Sequence, residues 1–186
     1  MSDMKVKGNL IIDFVKVIRA NKDLGWDQYL TPGDLELVNT MIIPAGWYPI
    51  EHYQRMGIAL HQLIAKENEE VLRQFARALM QGLFAGAYRP FLDKHDPFAA
   101  AQRFLDLRVS LFNFARGKLE KTGEKSLRIN FFIGNLGDVG LDIFLRFAGY
   151  YFQLLIELNG GQNVKMDCRR EIRENEKVLV YELAWD

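Results

Sequence analysis

Ser126-Leu127-Arg128-Ile129-Asn130-Phe131-Phe132-Ile133 is the stretch on which the fold turns. Leu127, Ile129, Phe131 and Ile133 alternate with Arg128, Asn130 and Phe132, a period of two that describes a half-buried strand. Upstream the period is different. Leu10, Ile11, Phe14, Val15, Val17 and Ile18 recur at three- and four-residue steps, with Asp13, Lys16 and Arg19 between them, which predicts an amphipathic opening helix. Thr31-Pro32-Gly33-Asp34 supplies a capping threonine and a proline at the first helical position, starting a short helix to about Asn39. Tyr53, Met56, Ile58, Leu60, Leu63 and Ile64 give a third helix, from Ile50 to about Lys66. Asn68 caps a fourth, which carries Val71, Leu72, Phe75, Ala76, Leu79, Met80, Leu83 and Phe84 and frays where Gly86 and Pro90 arrive. Asp96-Pro97 opens another, whose apolar face runs from Phe98 through Leu105 and Phe112 to Phe114, with Gly117 at the expected C-cap; Lys118 to Lys125 then reads as a charged loop.

Downstream of the strand, Gly134 to Gly140 is turn-rich. Leu141 to Leu158 is the most apolar helix, and Asn159-Gly160-Gly161 stops it. Val164, Met166 and Cys168 share one face of a strand; Leu179, Tyr181, Leu183 and Trp185 share one face of another; Glu174-Asn175-Glu176 joins them. The fold class is therefore α+β: an N-terminal helical layer of about four main helices, followed by strand-helix-hairpin forming a small, mainly antiparallel sheet. The chain reads as a single domain over 1–186, helical over 1–117 and sheet-forming over 126–186, with helix 141–158 in the latter.

Apolar residues make up 49% and aromatics 12%, enough for a packed core. Lys plus Arg and Asp plus Glu both number 24, so no broad positive field attracts nucleic acid. Cys168 is the single cysteine, which leaves no internal disulfide and points to a reducing, cytoplasmic setting. Met1-Ser2-Asp3-Met4-Lys5 lacks a secretory pattern, and Asp142, Arg146, Gln153 and Glu157 interrupt the apolar helix, so no membrane span is expected.

Chemistry-bearing patterns are sparse. His52 and His61 lie about two and a half turns apart on one predicted helix, on opposite sides, and His95 stands alone, so no metal site is assigned. Gly134-Asn135-Leu136-Gly137-Asp138-Val139-Gly140 follows a strand as a phosphate loop would, but it lacks the lysine ending, and Asp138 would repel phosphate; a turn is the expectation. Neither Ser126 nor Cys168 sits in a nucleophile-elbow context. The reading is of a protein that is not an enzyme, with no catalytic residue. Thirteen Phe, seven Tyr and three Trp stand out instead. Helix 141–158, apolar around most of its circumference, needs cover from sheet, helices, a ligand or a second subunit. A homodimer is the expected assembly, and Phe84, Tyr88, Phe91, Phe104, Phe112, Phe147 and Tyr151 are the candidate lining of an apolar ligand site.

Three stretches together carry a resemblance: Gly46-Trp47-Tyr48-Pro49 opening a helix, the Phe75 to Pro90 helix with Gly82-Leu83-Phe84, and the ending Val180-Tyr181-Glu182-Leu183-Ala184-Trp185. The chain resembles a paralogous bacterial family of undetermined function found largely in myxobacteria and relatives. More distantly, it is similar to the superfamily uniting haem nitric-oxide-binding domains, 4-vinyl reductase sensor domains and transport-particle subunits. The resemblance implies a small-molecule sensing module, often dimeric, that holds an apolar or planar ligand between helices and sheet and signals through a protein partner. The 4-vinyl reductase relatives often carry cysteines near the C-terminal hairpin, where Cys168 falls without a second cysteine. The haem relatives carry an axial histidine and, later, Tyr-x-Ser-x-Arg for the propionates. Ser126-Leu127-Arg128 supplies the last three positions, Glu124 stands at the tyrosine's, and His95 is the upstream ligand candidate. A carboxylate there would repel propionates, and His95 precedes a proline-started helix, so no cofactor is expected. The expected function is a non-enzymatic sensory or regulatory module that binds a small apolar ligand. A ligand-free dimeric scaffold and a haem-binding gas sensor are the alternatives.

Overall fold

Helices and two antiparallel sheets make this an α+β chain in the computed structural model, which describes residues 3–85, 89 and 95–186. Tyr88 and Phe91, expected at a ligand site, and Gly86 and Pro90, expected to end a helix, lie outside the described residues. Backbone contacts group the chain into two units. One comprises Met1–Leu72, Ser110–Asn113 and Gly137–Phe144; the other comprises Arg73–Val109, Phe114–Leu136 and Leu145–Asp186.

In the first unit, strand β1 (Lys5–Lys7) pairs antiparallel with β2 (Trp47–Pro49), which sets Lys7 opposite Trp47 and Lys5 opposite Pro49. Helices α1 (Gly8–Ala20), α2 (Pro32–Asn39) and α3 (Ile50–Leu63) follow from the caps and periods of the sequence. Tyr48 precedes a proline, which biases it to an extended backbone; the Trp47-Tyr48-Pro49 approach to α3 is accordingly a strand. Phe14 stacks on Tyr53 at 4.8 Å, and Tyr53 meets Phe112 and Phe144 edge-on at 6.3 Å each. These rings knit α1 and α3 to the segment around Phe112.

The second unit holds a four-stranded sheet, ordered β3-β4-β6-β5, of β3 (Arg116–Gly123), β4 (Ser126–Phe132), β5 (Lys165–Arg173) and β6 (Glu176–Ala184). Leu127, Ile129 and Phe131 of β4 stand opposite Leu183, Tyr181 and Leu179 of β6, and all six are buried. Helix α5 (Pro97–Arg108) and most of α6 (Leu141–Leu158) cover that inner face. Phe152 of α6 lies 5.2 Å from Tyr181. The α6 backbone comes in close because Gly149 has no side chain: a Cβ there would lie 2.9 Å from the Met166 methyl. Helix α4 (Glu69–Ala85) begins where Asn68 Oδ1 accepts from the Glu70 and Val71 amides.

Two expectations are corrected. Lys118 to Lys125 is not a loop: most of it is β3, hydrogen-bonded to β4 with Leu119 opposite Ile129. The helix from Pro97 ends at Arg108, well before Gly117. Leu111 and Phe112, counted on its apolar face, are instead drawn out beside β1, where the Lys7 amide donates to Leu111 O at 2.9 Å and the Asn113 amide to Lys5 O at 3.2 Å. Gly117 is no C-cap but a strand residue pressed against α5; a Cβ there would lie 2.6 Å from Leu105 Cδ2. The helical part therefore does not extend unbroken to 117. Among the described residues, no helix is long and apolar enough to cross a membrane.

The β5–β6 turn places Glu174 at φ 50° and Asn175 at φ 65°, both in the left-handed region where a non-glycine residue is strained. Glu174→Asn combined with Asn175→Gly supplies the pair this turn type favours. The variant is expected to gain about 1 kcal/mol of stability, read as a higher urea midpoint at unchanged slope.

Candidate functional site

A file of aromatic rings crosses the second unit from α4 to the sheet. Phe84 on α4 meets Phe104 on α5 edge-on at 6.2 Å; Phe104 meets Phe152 on α6 at 5.6 Å; Phe152 meets Tyr181 on β6 at 5.2 Å. Met80, Ala100, Leu154 and Leu155 pack around Phe84, with Phe104 and Tyr151 against them. Phe147 lies 5.4 Å from Tyr151 and 5.8 Å from Phe75. Of the expected lining residues, Phe84, Phe104, Phe147 and Tyr151 thus share this unit. Phe112 belongs to the other, where it packs on Phe144 at 5.7 Å.

At the sheet end of the file the surroundings become polar. The Tyr181 hydroxyl is fully buried and, among the described residues, has no hydrogen-bond partner. Burial, reinforced by Cys168 and opposed by Arg108, pushes its pKa well above the ordinary phenol value, so it remains a donor. Arg108, 1% exposed, sets its guanidinium carbon 3.6 Å from the Phe131 ring centre and donates from Nη1 to Ala115 O at 2.7 Å. Burial pulls its pKa down to about 9, against the influence of Tyr181, which leaves the guanidinium charged at neutral pH. Cys168 is half-buried directly across from Tyr181. Sequence reasoning missed Arg108, because nothing in a helical period distinguishes a last-turn arginine that caps from one that turns inward.

Ser126 and Arg128 take the opposite face of the sheet, as alternation from Leu127 requires. Arg128 donates to Glu182 at 2.8 Å and stands 3.9 Å from Glu120. Arg169 bridges Glu182 at 3.3 Å and Glu171 at 2.8 Å; Arg173 bridges Glu171 at 2.6 Å and Asn130 at 3.0 Å; Asn130 closes the ring by donating to Glu120 at 3.3 Å. Ser126 and Arg128 line an open groove of about 450 Å³ whose walls include Lys165, Asp167 and Glu182. The Ser126 hydroxyl accepts from Thr122 at 3.0 Å. His95 is exposed, at φ 72°, and stands beside Gly160 just past the end of α6, on the helical side. A haem ligated by His95 and clamped by Ser126 and Arg128 does not fit this arrangement. The histidine and the clamp lie on different faces, and the arginine is already held by carboxylates.

A second polar centre, in the first unit, was not foreseen. Asp34, at the third position of α2 and 0% exposed, gathers donors from three directions. The Thr31 amide and hydroxyl reach Oδ2 at 2.8 and 2.6 Å, Arg55 grips both oxygens at 2.6 and 2.8 Å, and His52 Nδ1 lies 2.6 Å from Oδ1. An ionised carboxylate only accepts, so the proton of that last bond resides on Nδ1. Burial alone would raise the carboxyl pKa, yet the bonds from His52, Arg55 and Thr31 outweigh it and hold it far below the usual carboxylate range. Asp34 thereby fastens α2 to α3. Its signal in the sequence was the Thr31-to-Asp34 capping box; the partners on α3 left none. His61 is buried elsewhere on α3, and among the described residues no three His, Cys, Asp or Glu side chains converge on a metal-sized site.

The fold is similar to that of solved H-NOX domains. One studied for haem distortion superposes with a TM-score of 0.66 at 9% identity, covering 97% of this chain and 95% of that one. Another, from work on the molecular mechanism of H-NOX activation, gives 0.64 at 11%, with 97% and 96% covered. An oxygen-binding H-NOX domain related to soluble guanylate cyclases gives 0.63 at 10%, with 97% and 95% covered. No protein-family model matches the sequence, and no curated protein does.

Asp34 binds a proton less readily in the folded chain than in the unfolded one, so its stabilisation is complete above its unfolded pKa of about 4 and is lost as pH falls toward the folded value. Asp34→Asn is expected to destabilise the protein by about 1–3 kcal/mol at neutral pH, since it leaves the part-exposed Arg55 guanidinium with a neutral partner and puts a donor amide among donors. Urea titrations from pH 7 downward should show wild type losing stability below about pH 5 more steeply than the variant.

Proposed function

We propose that this chain is a non-enzymatic sensory or regulatory module that binds a small apolar ligand among the rings of its second unit and passes the event on through protein contacts. The observation that carries this reading is the aromatic file from Phe84 to Tyr181, which ends at a buried phenol donor beside a buried guanidinium. Such a layout suits a flat or elongated apolar molecule with one hydrogen-bond-accepting end, because the rings supply contact area and the donors fix the orientation. Likeness to H-NOX domains along nearly the whole chain supports a ligand-binding role of this kind, while the misfit of His95, Ser126 and Arg128 turns the reading away from haem. A homodimer that transmits the signal belongs to the same proposal.

Two measurements test it. Native mass spectrometry of the purified chain, followed by thermal unfolding with a panel of lipids, aromatic carbonyls and tetrapyrroles, should reveal a retained or stabilising small molecule. Phe104→Ala is expected to weaken that stabilisation at least tenfold; absence of any ligand in both assays would refute the reading in favour of a scaffold. In parallel, added haemin should produce no Soret band. A Soret band that appears with wild type and vanishes in His95→Ala would establish the haem alternative instead.

A further inference from the structure

From Thr40 to Ile50 the chain carries no charged side chain, and within that run Met41 is 91%, Ile43 62% and Trp47 41% exposed, with Pro44 and Ala45 also open to solvent. Large apolar side chains side by side at a loop tip are costly to keep in water and mark a surface that meets something else. Much of the backbone beneath them is hydrogen-bonded within the unit. The carbonyls of four successive residues accept bonds from within the unit: Ile43 from the Gly46 amide at 2.9 Å, Pro44 from the Asn9 amide at 3.0 Å, Ala45 from Lys7 Nζ at 2.7 Å, and Gly46 from the Gly8 amide at 3.0 Å. The Ile43 amide donates to the Tyr48 hydroxyl at 2.9 Å, and Pro44 has no amide hydrogen to satisfy. Cations surround the tip. Lys7 Nζ lies 4.1 Å over the Trp47 ring, Lys5 is on the same strand, and Arg19 holds the Thr40 carbonyl at 2.7 Å. Asp3 lies 3.8 Å from Lys5 Nζ.

We infer that the Met41–Trp47 loop is a membrane-surface anchor that dips Met41, Ile43 and Trp47 into the headgroup and upper acyl region of a bilayer containing anionic lipid. Two features select a bilayer over a protein groove. A segment entering lipid finds no water for its backbone, so its carbonyls need partners within the protein, as the four from Ile43 to Gly46 have. Tryptophan at the boundary with lysine and arginine around it matches the interfacial layer, where cations meet lipid phosphates. The anchor is peripheral and independent of the ligand reading above.

Co-sedimentation of the full chain with phosphatidylcholine vesicles, with and without phosphatidylglycerol, tests it. Binding is expected with the anionic vesicles, together with a blue shift in tryptophan emission that Trp47→Phe removes. Met41→Asp combined with Ile43→Asp should lower the bound fraction about tenfold or more at an unchanged unfolding midpoint, because both side chains are exposed in solution. The inference fails if wild type ignores both vesicle types, or if the double variant binds as well as wild type. It fails equally if the variant's effect is on self-association by light scattering without vesicles, which would assign the loop to a second copy of the chain.

Discussion

The antiparallel pairing of β4 with β6 dictates where every consequential side chain of the second unit goes. Once Leu127, Ile129 and Phe131 are locked opposite Leu183, Tyr181 and Leu179, the pleat sends them toward α5 and α6 and sends Arg128, Asn130, Glu182 and Val180 the other way. A slip of one residue would bury the ring of arginines and glutamates and expose the apolar ladder, so the register is fixed by the cost of both faces at once. The aromatic file follows from the same pairing, because Tyr181 points inward only in this register. So does the separation of Ser126 and Arg128 from the helical side. Val180, flanked by Asn130 and Arg169, is buried beneath the charged ring, so even the wet face covers a small apolar patch with the stems of its own long side chains.

Legibility in the sequence tracked how strongly one face was apolar. β4 and β6 declared themselves by alternation, and α1, α3 and α6 by their three-to-four spacing. β3 did not: its inward positions are Gly117, Leu119 and Lys121, which present a single large apolar side chain, and it lies at the edge of the sheet, where burial is partial. Leu111 and Phe112 misled for the converse reason. They continue the apolar spacing of α5, but hydrogen bonding to β1 claims them, and a partner so distant in sequence leaves no local trace. Asp34 was readable as a capping residue and not as a hub, since the helix that brings His52 and Arg55 to it is placed by tertiary packing. Composition pointed to rings, but only the paired strands and their helices decide that Phe112 and Phe104 belong to different units.

The comparison with H-NOX domains shows how little identity a shared layout needs. At 9–11% identity most side chains differ, yet the chains superpose along nearly their whole length. A layout of this kind depends on hydrophobic periodicity and on where glycine permits close approach, as at Gly117 and Gly149. Individual chemical groups have no such protection. In this chain Arg128 is held in a surface lattice with Glu120 and Glu182 while the architecture stands.

That lattice also governs how the open rim of the sheet behaves. β5 lies at the end of the strand order and so leaves half of its backbone groups without a strand neighbour among the described residues. Lys165, Asp167, Arg169, Arg170, Glu171 and Arg173 crowd it. Another extended segment sliding alongside would have to desolvate these heads and break bridges already made between them, with the exposed Ile172 as the one large apolar side chain to cover in return. The rim thus resists runaway strand stacking, and copies of the protein that meet at high concentration are diverted from fibrous association at this edge.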